Sequence, residues 1–550
     1  MGILAEVFSL PSLTLAAVVE SLLAIKIFPD FIPTLLNTEN HLAIFGAVFL
    51  ANYAFGILFW GFLYPTIFSP LRGIPGPKSI ISTSHRGLLV TDRPPGDLFL
   101  DLIKEYPNEE ILNLSAFHNQ VLVTKPRMLP DLLVHKAYDF IKPPKISSFL
   151  RHVLGAGLIV LEGDQHKFLR KNTMPAFSFR HIKDLYPMMW TKAVLMTNIL
   201  REEVSGSDTK DSKNSGIIEL SSWASRVTLD IIGVAGMGRE FNMLEKSEDP
   251  LLDVYEQLLD PAPEKLVFAM SSFILGIPFV RLLPWKMNDV FKYLTSRLNE
   301  ICMPMMQAKK EAITKTKDNH FDVLSLLIKS DNFTDSELKD QLLTFLAAGH
   351  ETTSSALTWA CYLLAKNSDL QKKLRDEVSE ALPDDLVIDQ SVDLAGLLEP
   401  LPYLNGIMNE TLRLYPTVPM TMRQAICDSN LAGQPIPKGV TVVLSMWQMN
   451  RSPELWGSEA GDFRPERWIT DGKPNTNGGA SSNYEFLTFL HGPRSCIGQG
   501  FAKAEMRCLL ASMIRNFSWE LAMDEKKVLP RGVITIKPAN GMYLKLKPLN

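Results

Sequence analysis

The decapeptide Phe489-Leu-His-Gly-Pro-Arg-Ser-Cys-Ile-Gly498 decides how this chain folds and what it binds. A thiolate that ligates a metal needs a loop that presents its sulfur and N–H groups that stabilise its charge. Gly492 permits the unusual backbone turn, and Gly498 permits a close approach behind Cys496. A helix with apolar periodicity, residues 501–517, follows the cysteine, so its positive N-terminal dipole favours the thiolate.

This decapeptide resembles the haem-binding signature of the cytochromes P-450, F-x-x-G-x-R-x-C-x-G, and matches it at every fixed position. The resemblance implies a haem b cofactor whose iron takes Cys496 as its axial ligand, which pushes electron density toward O–O cleavage. It also implies that Phe489 shields the sulfur and that Arg494 pairs with a haem propionate. The alternative, a buried structural cysteine in a glycine-rich turn, is disfavoured because further motifs agree in order and spacing.

A second motif, Glu410-Thr-Leu-Arg413, resembles the family's E-x-x-R, whose two charged side chains project from one helix face. Alone, such a pair is usually a solvated surface salt bridge. The segment Phe463-Arg-Pro-Glu-Arg-Trp468 resembles the family's partner segment for this motif. Together they imply a buried network of Glu410, Arg413 and Arg467, which has a structural and not a catalytic role.

The longest helical candidate, residues 335–365, contains Ala347-Ala-Gly-His-Glu-Thr-Thr353, which resembles the family's oxygen-binding signature. Gly349 removes a side chain and makes room for a ligand beside the helix. The resemblance implies that Thr352 steadies bound dioxygen and a water, and that Glu351 supplies protons from the solvent side. The alternative is an ordinary polar interruption of the helix.

Other cofactor and pocket residues are assigned by their position in the family's sequence. His166-Lys-Phe-Leu-Arg170 resembles the family's W-x-x-x-R, with His in place of Trp, and assigns Arg170 and His166 to the haem edge. Arg423 matches a further propionate-binding arginine, although exposed arginines are common. Four residues are assigned to an apolar substrate pocket: Phe345, Ala348, Val418 and Met420.

The N-terminal region predicts a membrane anchor. Residues 42–68 contain no Asp, Glu, Lys or Arg and are long enough to cross a bilayer, a buried core helix being the alternative. A second apolar stretch, about 10–28, is interrupted by Glu20. It is another span, an interfacial helix or part of a targeting signal. The cations that follow residue 68 place the bulk of the protein in the cytosol by the positive-inside rule.

A domain boundary is expected after residue 72, between a membrane anchor region, 1–72, and a catalytic domain, 73–550. The catalytic domain begins with the stiff Gly73-Ile-Pro-Gly-Pro77. Helical periodicity dominates it, with short β-rich runs, so the fold class is mainly α with small β-sheets. The resemblance covers this region and implies the cytochrome P-450 fold, preceded here by an N-terminal transmembrane anchor.

Composition narrows the class of function. A formal net charge of −4 lacks the basic footprint expected of a nucleic-acid-binding protein. The five cysteines contain no C-x-x-C pair and do not suit a disulfide framework, which favours a reducing compartment.

The N-terminal region and the loops of the chain resemble those of membrane-bound, microsomal cytochromes P-450 of fungi. That implies a monooxygenase of the endoplasmic reticulum membrane, with its catalytic domain facing the cytosol, acting on an apolar secondary-metabolite intermediate. Electrons would come from NADPH through a separate NADPH–cytochrome P-450 reductase, with cytochrome b5 as a further partner. Two alternatives stay open: a haem-thiolate isomerase or dehydratase that needs no reductase, and a non-catalytic haem-binding protein. The sequence Glu351-Thr352 favours oxygen activation.

Overall fold

The computed structural model describes the following residues: 10–27, 41–77, 93–115, 118–206, 216–246, 249–259, 263–315, 322–383, 392–532 and 534–549. The chain forms two compact units. The first comprises 1–91, 101–125 and 423–444, and the second comprises 92–100, 126–422 and 445–550.

The N-terminal part of the first unit is helical. Leu10–Ile27 and His41–Leu58 are α-helices that pack on each other, and the second continues as a π-helix, Phe59–Phe68. Asn52 donates a hydrogen bond of 2.6 Å to Glu20, the acidic residue that interrupts the apolar sequence of the first helix. Among the described residues, no helix is both long and apolar enough to cross a membrane. The predicted transmembrane anchor is therefore not confirmed.

A small sheet forms the other part of the first unit. Ile111–Asn113 pairs antiparallel with Gln120–Val123, which pairs in parallel with Thr441–Ser445. Consecutive residues of the two parallel strands are buried, which is typical of a sheet covered on both faces. Ser429–Leu431 and Gln434–Ile436 form a hairpin. Its two turn residues, Ala432 and Gly433, both have positive φ, as a tight hairpin turn requires.

The second unit is mostly helical, which confirms the expected fold class. Its α-helices are Pro144–Leu154, Gly163–Thr173, Phe179–Gly206, Leu220–Ile232, Pro250–Leu259, Pro263–Leu275, Ile277–Val280, Lys286–Lys315, Val323–Lys329, Asp335–Ala365, Ser368–Ala381, Leu394–Leu398, Pro402–Leu414, Met446–Met449, Pro453–Trp456 and Gln499–Asn516. One further α-helix, Asp97–Glu105, begins in this unit and ends in the first.

Short strands complete the second unit. Phe517–Leu521 pairs antiparallel with Tyr543–Pro548, which also pairs with Ile217–Glu219. Leu544 and Leu546 are buried while Tyr543 and Lys545 are exposed, so the strand follows the period of two expected of a sheet with one face on the core. The other short strands of the chain are Phe140–Ile141, Met420–Ala425, Ile469–Thr470, Lys473–Pro474, Pro530–Arg531 and Lys537–Pro538.

The long helix, Asp335–Ala365, runs through the core of the second unit, as the sequence predicts. It begins at a capping box, because the Thr334 hydroxyl accepts from the N–H of Glu337 while the Glu337 carboxylate accepts from the N–H of Thr334. It packs most extensively on the helix Leu220–Ile232. The helix that follows the cysteine, Gln499–Asn516, also packs against it and thereby brings the two predicted motif regions into one core.

Candidate active site

The loop around Cys496 is fixed by its own backbone. The N–H of Cys496 donates to the carbonyl of Phe489 at 2.8 Å, and the N–H of Ser495 donates to the carbonyl of Gly492 at 3.0 Å. Gly492 has a φ of 74°, and a Cβ there would lie 2.0 Å from the carbonyl oxygen of Leu133. The glycine is therefore required both for the turn and for its close approach to the neighbouring segment.

Gly498 has a different role from the one predicted. Its φ is −88°, and a Cβ would meet only Phe177, at an ordinary 4.0 Å, so no close approach requires a glycine here. Instead its N–H is directed at the sulfur of Cys496 and stabilises the thiolate. Gly498 also caps the helix Gln499–Asn516, which begins one residue later.

Cys496 is solvent-accessible and yet surrounded by protein on most sides, so its thiol lies in a concavity. Burial raises the pKa of this thiol, while the N–H of Gly498 and the positive charge of Arg170 lower it. Burial has the larger effect on this pKa. The predicted contribution of the helix dipole to the thiolate stays a prediction. A thiol in such a place is deprotonated by coordination to a metal ion.

Two arginines fix the position of the cysteine loop. Arg170, outside the loop, donates from both of its terminal nitrogens to Ser495, at 2.5 Å to the carbonyl and 3.2 Å to the hydroxyl. Arg494, within the loop, pairs with Glu162 and with the carbonyl of Ala137. Its Nε is buried and has no hydrogen-bond partner within the described part of the chain. Both terminal nitrogens of each arginine are thus engaged, and Arg494 retains a buried donor at Nε.

His166 is buried beside Arg494. Its Nδ1 lies 3.2 Å from the hydroxyl of Tyr138, over whose ring the Arg494 guanidinium stacks at 4.7 Å. Burial, and then the charge of Arg494, lower the pKa of His166 to about 4. The imidazole is therefore neutral near pH 7 and offers a single N–H donor, so it resembles the indole that the family has at this position.

These residues fit a haem. The thiol of Cys496 supplies a ligand that faces accessible space, and Arg170 and Arg494 supply cations suited to carboxylates. The buried, unpaired Nε of Arg494 is the clearest sign of a missing acceptor, because buried donors are nearly always paired. Phe489, which is half-buried, lies with its ring 5.6 Å from the Nζ of Lys503. Arg423 is buried in the first unit, so its role stays a prediction.

Part of the long helix is accessible although the helix is otherwise buried. Ala348 is exposed and Thr352 is half-buried, whereas residues 340–346 and 353–364 are buried. The hydroxyl of Thr352 donates to the carbonyl of Ala348 at 2.8 Å, the back-bond that a helical threonine commonly makes. Glu351 forms an ion pair with Lys537, with Nζ and Oε1 3.1 Å apart. The sequence motif therefore lies where the helix surface opens.

Gly349 lies against the neighbouring helix, and its predicted role of making room for a ligand stays a prediction. A Cβ at Gly349 would lie 2.6 Å from Cδ1 of Ile232, on the neighbouring helix. The glycine allows the two helices to approach each other closely. The motif's spacing identified the small residue but could not identify the side chain that fills the space beside it.

Glu410 and Arg413 are fully buried at the centre of a bonded network, and Arg467 lies at its partly exposed edge. Arg413 donates to both carboxylate oxygens of Glu410 at 2.8 Å, and Arg467 donates to one of them at 3.2 Å. Arg413 also donates to the carbonyls of Asn450 and Ala460, each at 2.7 Å. The structure therefore brings together the three residues that the sequence groups.

The four predicted pocket residues differ in exposure. Phe345 is buried, and its ring packs on Phe177 with 5.7 Å between centroids. Ala348 is exposed, while Val418 and Met420 are half-buried. Three of the four are thus able to contact a ligand without rearrangement.

Sequence reasoning missed several residues that act on the predicted ones. Trp468 donates its indole N–H to Glu410 at 2.8 Å, and Glu162 neutralises Arg494. Glu505 is buried beside Thr353, and burial raises the pKa of its carboxyl well above the usual range. Trp468 ends a motif already singled out, and Glu505 is an acidic residue within an apolar helical stretch. Both residues could therefore have been identified from the sequence. No sequence pattern identifies Glu162 or Lys537, because their partners lie far along the chain.

Comparison with known proteins gives concordant matches. A sequence profile described as cytochrome P-450 matches residues 75–545. The cytochrome P-450 monooxygenase sphH of Aspergillus fumigatus is 41% identical over 513 residues, which cover 92% of this chain and 93% of that protein. The cytochrome P-450 monooxygenase FUM15 of Gibberella moniliformis is 32% identical over 557 residues, covering 91% and 92%. The cytochrome P-450 monooxygenase ptmK of Penicillium ochrochloron is 36% identical over 493 residues, covering 88% and 95%.

Proposed function

Because this chain belongs to the cytochrome P-450 family and is a haem-thiolate monooxygenase, we propose that it inserts one oxygen atom from O2 into an apolar small molecule of fungal secondary metabolism. The class of reaction follows from relatives that are named monooxygenases and align over nearly the whole chain. The substrate class is supported by the apolar character of Phe345, Ala348, Val418 and Met420, of which all but Phe345 are at least partly accessible.

Haem, when bound, supplies the redox chemistry that activates dioxygen. The chain's own part begins with Cys496, whose thiolate would ligate the iron and whose N–H donates to the carbonyl of Phe489. The N–H of Gly498 and the charge of Arg170 stabilise the sulfur's negative charge. Arg494, with its unpaired Nε, Arg170 and His166 would hold the propionates. The assignment of Arg423 to a propionate is kept as a proposal that rests on the sequence alone.

The same proposal assigns proton supply to Glu351 and Thr352. Thr352 carries a hydroxyl whose hydrogen is donated to the carbonyl of Ala348, so its oxygen can accept a hydrogen bond from a water. Glu351 is a half-exposed carboxylate in the same turn of the helix and can exchange protons with solvent. Gly349 allows the close approach of Ile232 in this scheme, and its contact with the cofactor is part of the proposal.

Electrons are proposed to come from NADPH through a separate cytochrome P-450 reductase, with cytochrome b5 as a second donor. We further propose that residues 1–72 attach the protein to the endoplasmic reticulum membrane with the catalytic domain in the cytosol. Large apolar side chains of the N-terminal helices support attachment, because water-exposed apolar faces of this kind favour lipid. The clearest examples are Leu15, Leu22, Leu50, Phe55 and Leu58.

The observation that carries the proposal is the accessible Cys496 thiol, held in its loop beside Arg170 and the unpaired donor of Arg494. The test is the carbon monoxide difference spectrum of the dithionite-reduced protein, recorded beside a Cys496→Ser variant. A strongly red-shifted Soret band in the wild type that disappears in the variant is expected. A histidine-like band in well-folded wild type would overturn the assignment of the ligand. NADPH-dependent oxygen consumption with added reductase then separates a monooxygenase from an isomerase or a haem carrier.

A further inference from the structure

Three aromatic side chains form a contiguous array in the core of the second unit. Trp359 stacks on Tyr415 with 4.3 Å between ring centroids and an interplanar angle of 12°. Tyr362 lies edge-on to both rings, at 5.9 Å from Trp359 and 6.3 Å from Tyr415. Tryptophan and tyrosine are the aromatic side chains that lose an electron most readily. Because rings at these separations are in contact, an electron can pass from one to the next.

One end of the array lies on elements that carry the candidate site. Trp359 is seven residues beyond Thr352 on the long helix, which places the two side chains on one helix face about two turns apart. Tyr415 directly follows the helix that carries Glu410, and it lies three residues before Val418 of the predicted pocket. The two inner rings are therefore attached to both helices that contribute to the site.

The other end of the array meets a proton acceptor at the surface. The hydroxyl of Tyr362 donates to Oε1 of Glu525 at 3.2 Å, and the side chain of Glu525 is 55% exposed. A hydrogen bond of 2.5 Å from Lys366 lowers the pKa of the Glu525 carboxyl, whereas burial raises the pKa of the Tyr362 hydroxyl. The phenol is thus neutral beside an ionised carboxylate. A phenol becomes a strong acid when it loses an electron, so this carboxylate can take its proton.

Charged side chains favour an oxidised ring at the outer end of the array. The Arg451 guanidinium lies 3.6 Å from the ring centroid of Trp447 and 5.2 Å from that of Tyr415. A cation opposes the loss of an electron from a neighbouring ring, because the ring becomes positive. Lys366 lies 5.7 Å from the ring of Tyr362, but its charge is paired with Glu525. The most favourable site for a lasting radical is therefore Tyr362.

We propose that Tyr415, Trp359 and Tyr362 carry oxidising equivalents from the haem site to the surface when no substrate is present to consume them. The inference rests on the proposed haem-thiolate site at Cys496. Tyr362 gives one electron inward through Trp359 and Tyr415, and its phenolic proton passes to the Glu525 carboxylate. A neutral tyrosyl radical and a carboxylic acid result.

A low-molecular-weight thiolate restores the array. It gives one electron to the Tyr362 radical and becomes a thiyl radical, while Glu525 returns the proton, so the phenol and the carboxylate are both regenerated. Two such cycles, with two protons from solvent, return a haem site oxidised by one peroxide to its resting state. The two thiyl radicals combine as a disulfide, which balances the electrons.

The competing explanation is that the three rings only fill the core, as buried aromatic residues commonly do. The chain offers a matched control. Tyr186 is 1% exposed and donates its hydroxyl to Glu399 at 3.0 Å, but it makes no ring contact within the described part of the chain. Tyr362→Phe and Tyr186→Phe each remove one buried hydroxyl that is bonded to a carboxylate. A difference between the two variants therefore reports membership of the array.

The experiment oxidises the haem-loaded, substrate-free full-length enzyme with hydrogen peroxide, freezes it rapidly and records its electron paramagnetic resonance spectrum. Wild type is compared with Tyr362→Phe, Tyr186→Phe and Glu525→Gln. We expect a tyrosyl radical in wild type and in Tyr186→Phe, and its loss in Tyr362→Phe. Glu525→Gln should lower the radical yield, because the phenol then lacks a carboxylate to take its proton. Neither NADPH nor reductase is added, so the readout does not depend on turnover.

A second variant tests the inner end of the array without changing Tyr362. Trp359→Phe combined with Tyr415→Phe replaces both inner rings by rings that resist oxidation. The indole N–H of Trp359 has no hydrogen-bond partner among the described residues, so its removal breaks no hydrogen bond. The tyrosyl signal should be lost in this double variant. In peroxide, the carbon monoxide band should decay faster than in wild type, and added glutathione should slow that decay in wild type alone.

The outcomes separate the proposed function from this inference. If well-folded wild type lacks the red-shifted carbon monoxide band, the haem-thiolate site fails and the inference fails with it. If the band is present but wild type yields no tyrosyl radical, or Tyr362→Phe yields the same radical, only the inference is overturned. An unchanged yield in Glu525→Gln would overturn the role of Glu525, and an unchanged yield in the double variant would overturn the route.

Discussion

The cysteine loop and the Glu410 network are both polar, and both are identified from motifs, yet their chemistry differs. Glu410 and Arg413 have no exposed side-chain surface, and arginine, tryptophan and backbone donors satisfy the carboxylate. Cys496 is accessible, and Arg494 beside it keeps a buried donor without an acceptor. A satisfied network has no bonding capacity left for a ligand, whereas an unsatisfied one does. Hydrogen-bond saturation therefore distinguishes the structural motif from the chemical one.

The Glu410→Ala variant tests the structural role of the Glu410 network and is expected to have the largest effect. The substitution leaves Arg413 as an uncompensated buried charge, which destabilises a protein by about 3–5 kcal/mol. We expect little soluble protein and a large fall in the urea midpoint of what remains. Glu466→Gln is the control, because Glu466 pairs with Lys373 at the surface. Similar midpoints for the two variants would show that the network is not the structural element described.

Acid titration tests the cysteine loop through His166, and the long helix through His350. Burial, as the first cause for both, lowers the pKa of each imidazole to about 4. In the unfolded chain each has a pKa of about 6.5, so the unfolded state binds more protons between these values. Stability is thus fully present above pH ~6.5 and falls as the pH drops toward ~4, by up to about 3 kcal/mol for each group.

The measurement is the free energy of unfolding by urea from pH 7.5 to 4.5. Replacing His166 by Gln should reduce the slope over this window while leaving the contribution of His350. An unchanged slope would show that His166 is already protonated or accessible in the folded protein.

The Gly349→Val variant tests whether Gly349 is needed for the packing of the long helix on the helix Leu220–Ile232. The added side chain would overlap Ile232, and overpacking of a core typically costs about 1–3 kcal/mol. The double variant with Ile232→Ala should recover most of the unfolding midpoint, measured by thermal denaturation. If the single variant keeps its stability but loses the carbon monoxide band, Gly349 acts on the cofactor and not on packing.

The smallest expected effect belongs to Arg494→Leu. Loss of a charge-assisted hydrogen bond should speed haem transfer to apomyoglobin about tenfold, with the red-shifted carbon monoxide band retained. Glu162→Gln is the matched variant, because it removes the same ion pair and leaves the arginine. Equal transfer rates in the two variants would assign the effect to the ion pair and not to a propionate contact.

Local signals in the sequence predicted local structure well. The long helix extends over 335–365 as expected, because its apolar periodicity is reinforced by a capping box at Thr334 and Glu337. The cysteine loop was predicted because Gly492 and Cys496 lie within one short motif. The partners of Gly349 and Glu351 could not be predicted, since Ile232 and Lys537 reach them only through the tertiary fold. Periodicity identifies which residues share a helix face and not what packs against that face.

Contacts of the cysteine loop also constrain when the protein can mature during synthesis. Gly492 packs on Leu133, Arg494 reaches Ala137 and Glu162, and Ser495 is held by Arg170. Every one of these contacts joins the last part of the chain to a segment that leaves the ribosome much earlier. Because translation is vectorial, the early segment must wait, folded or chaperoned, until the loop emerges. Insertion of the cofactor thus has to follow synthesis of the loop, and a nascent chain stalled before the loop lacks the Cys496 ligand.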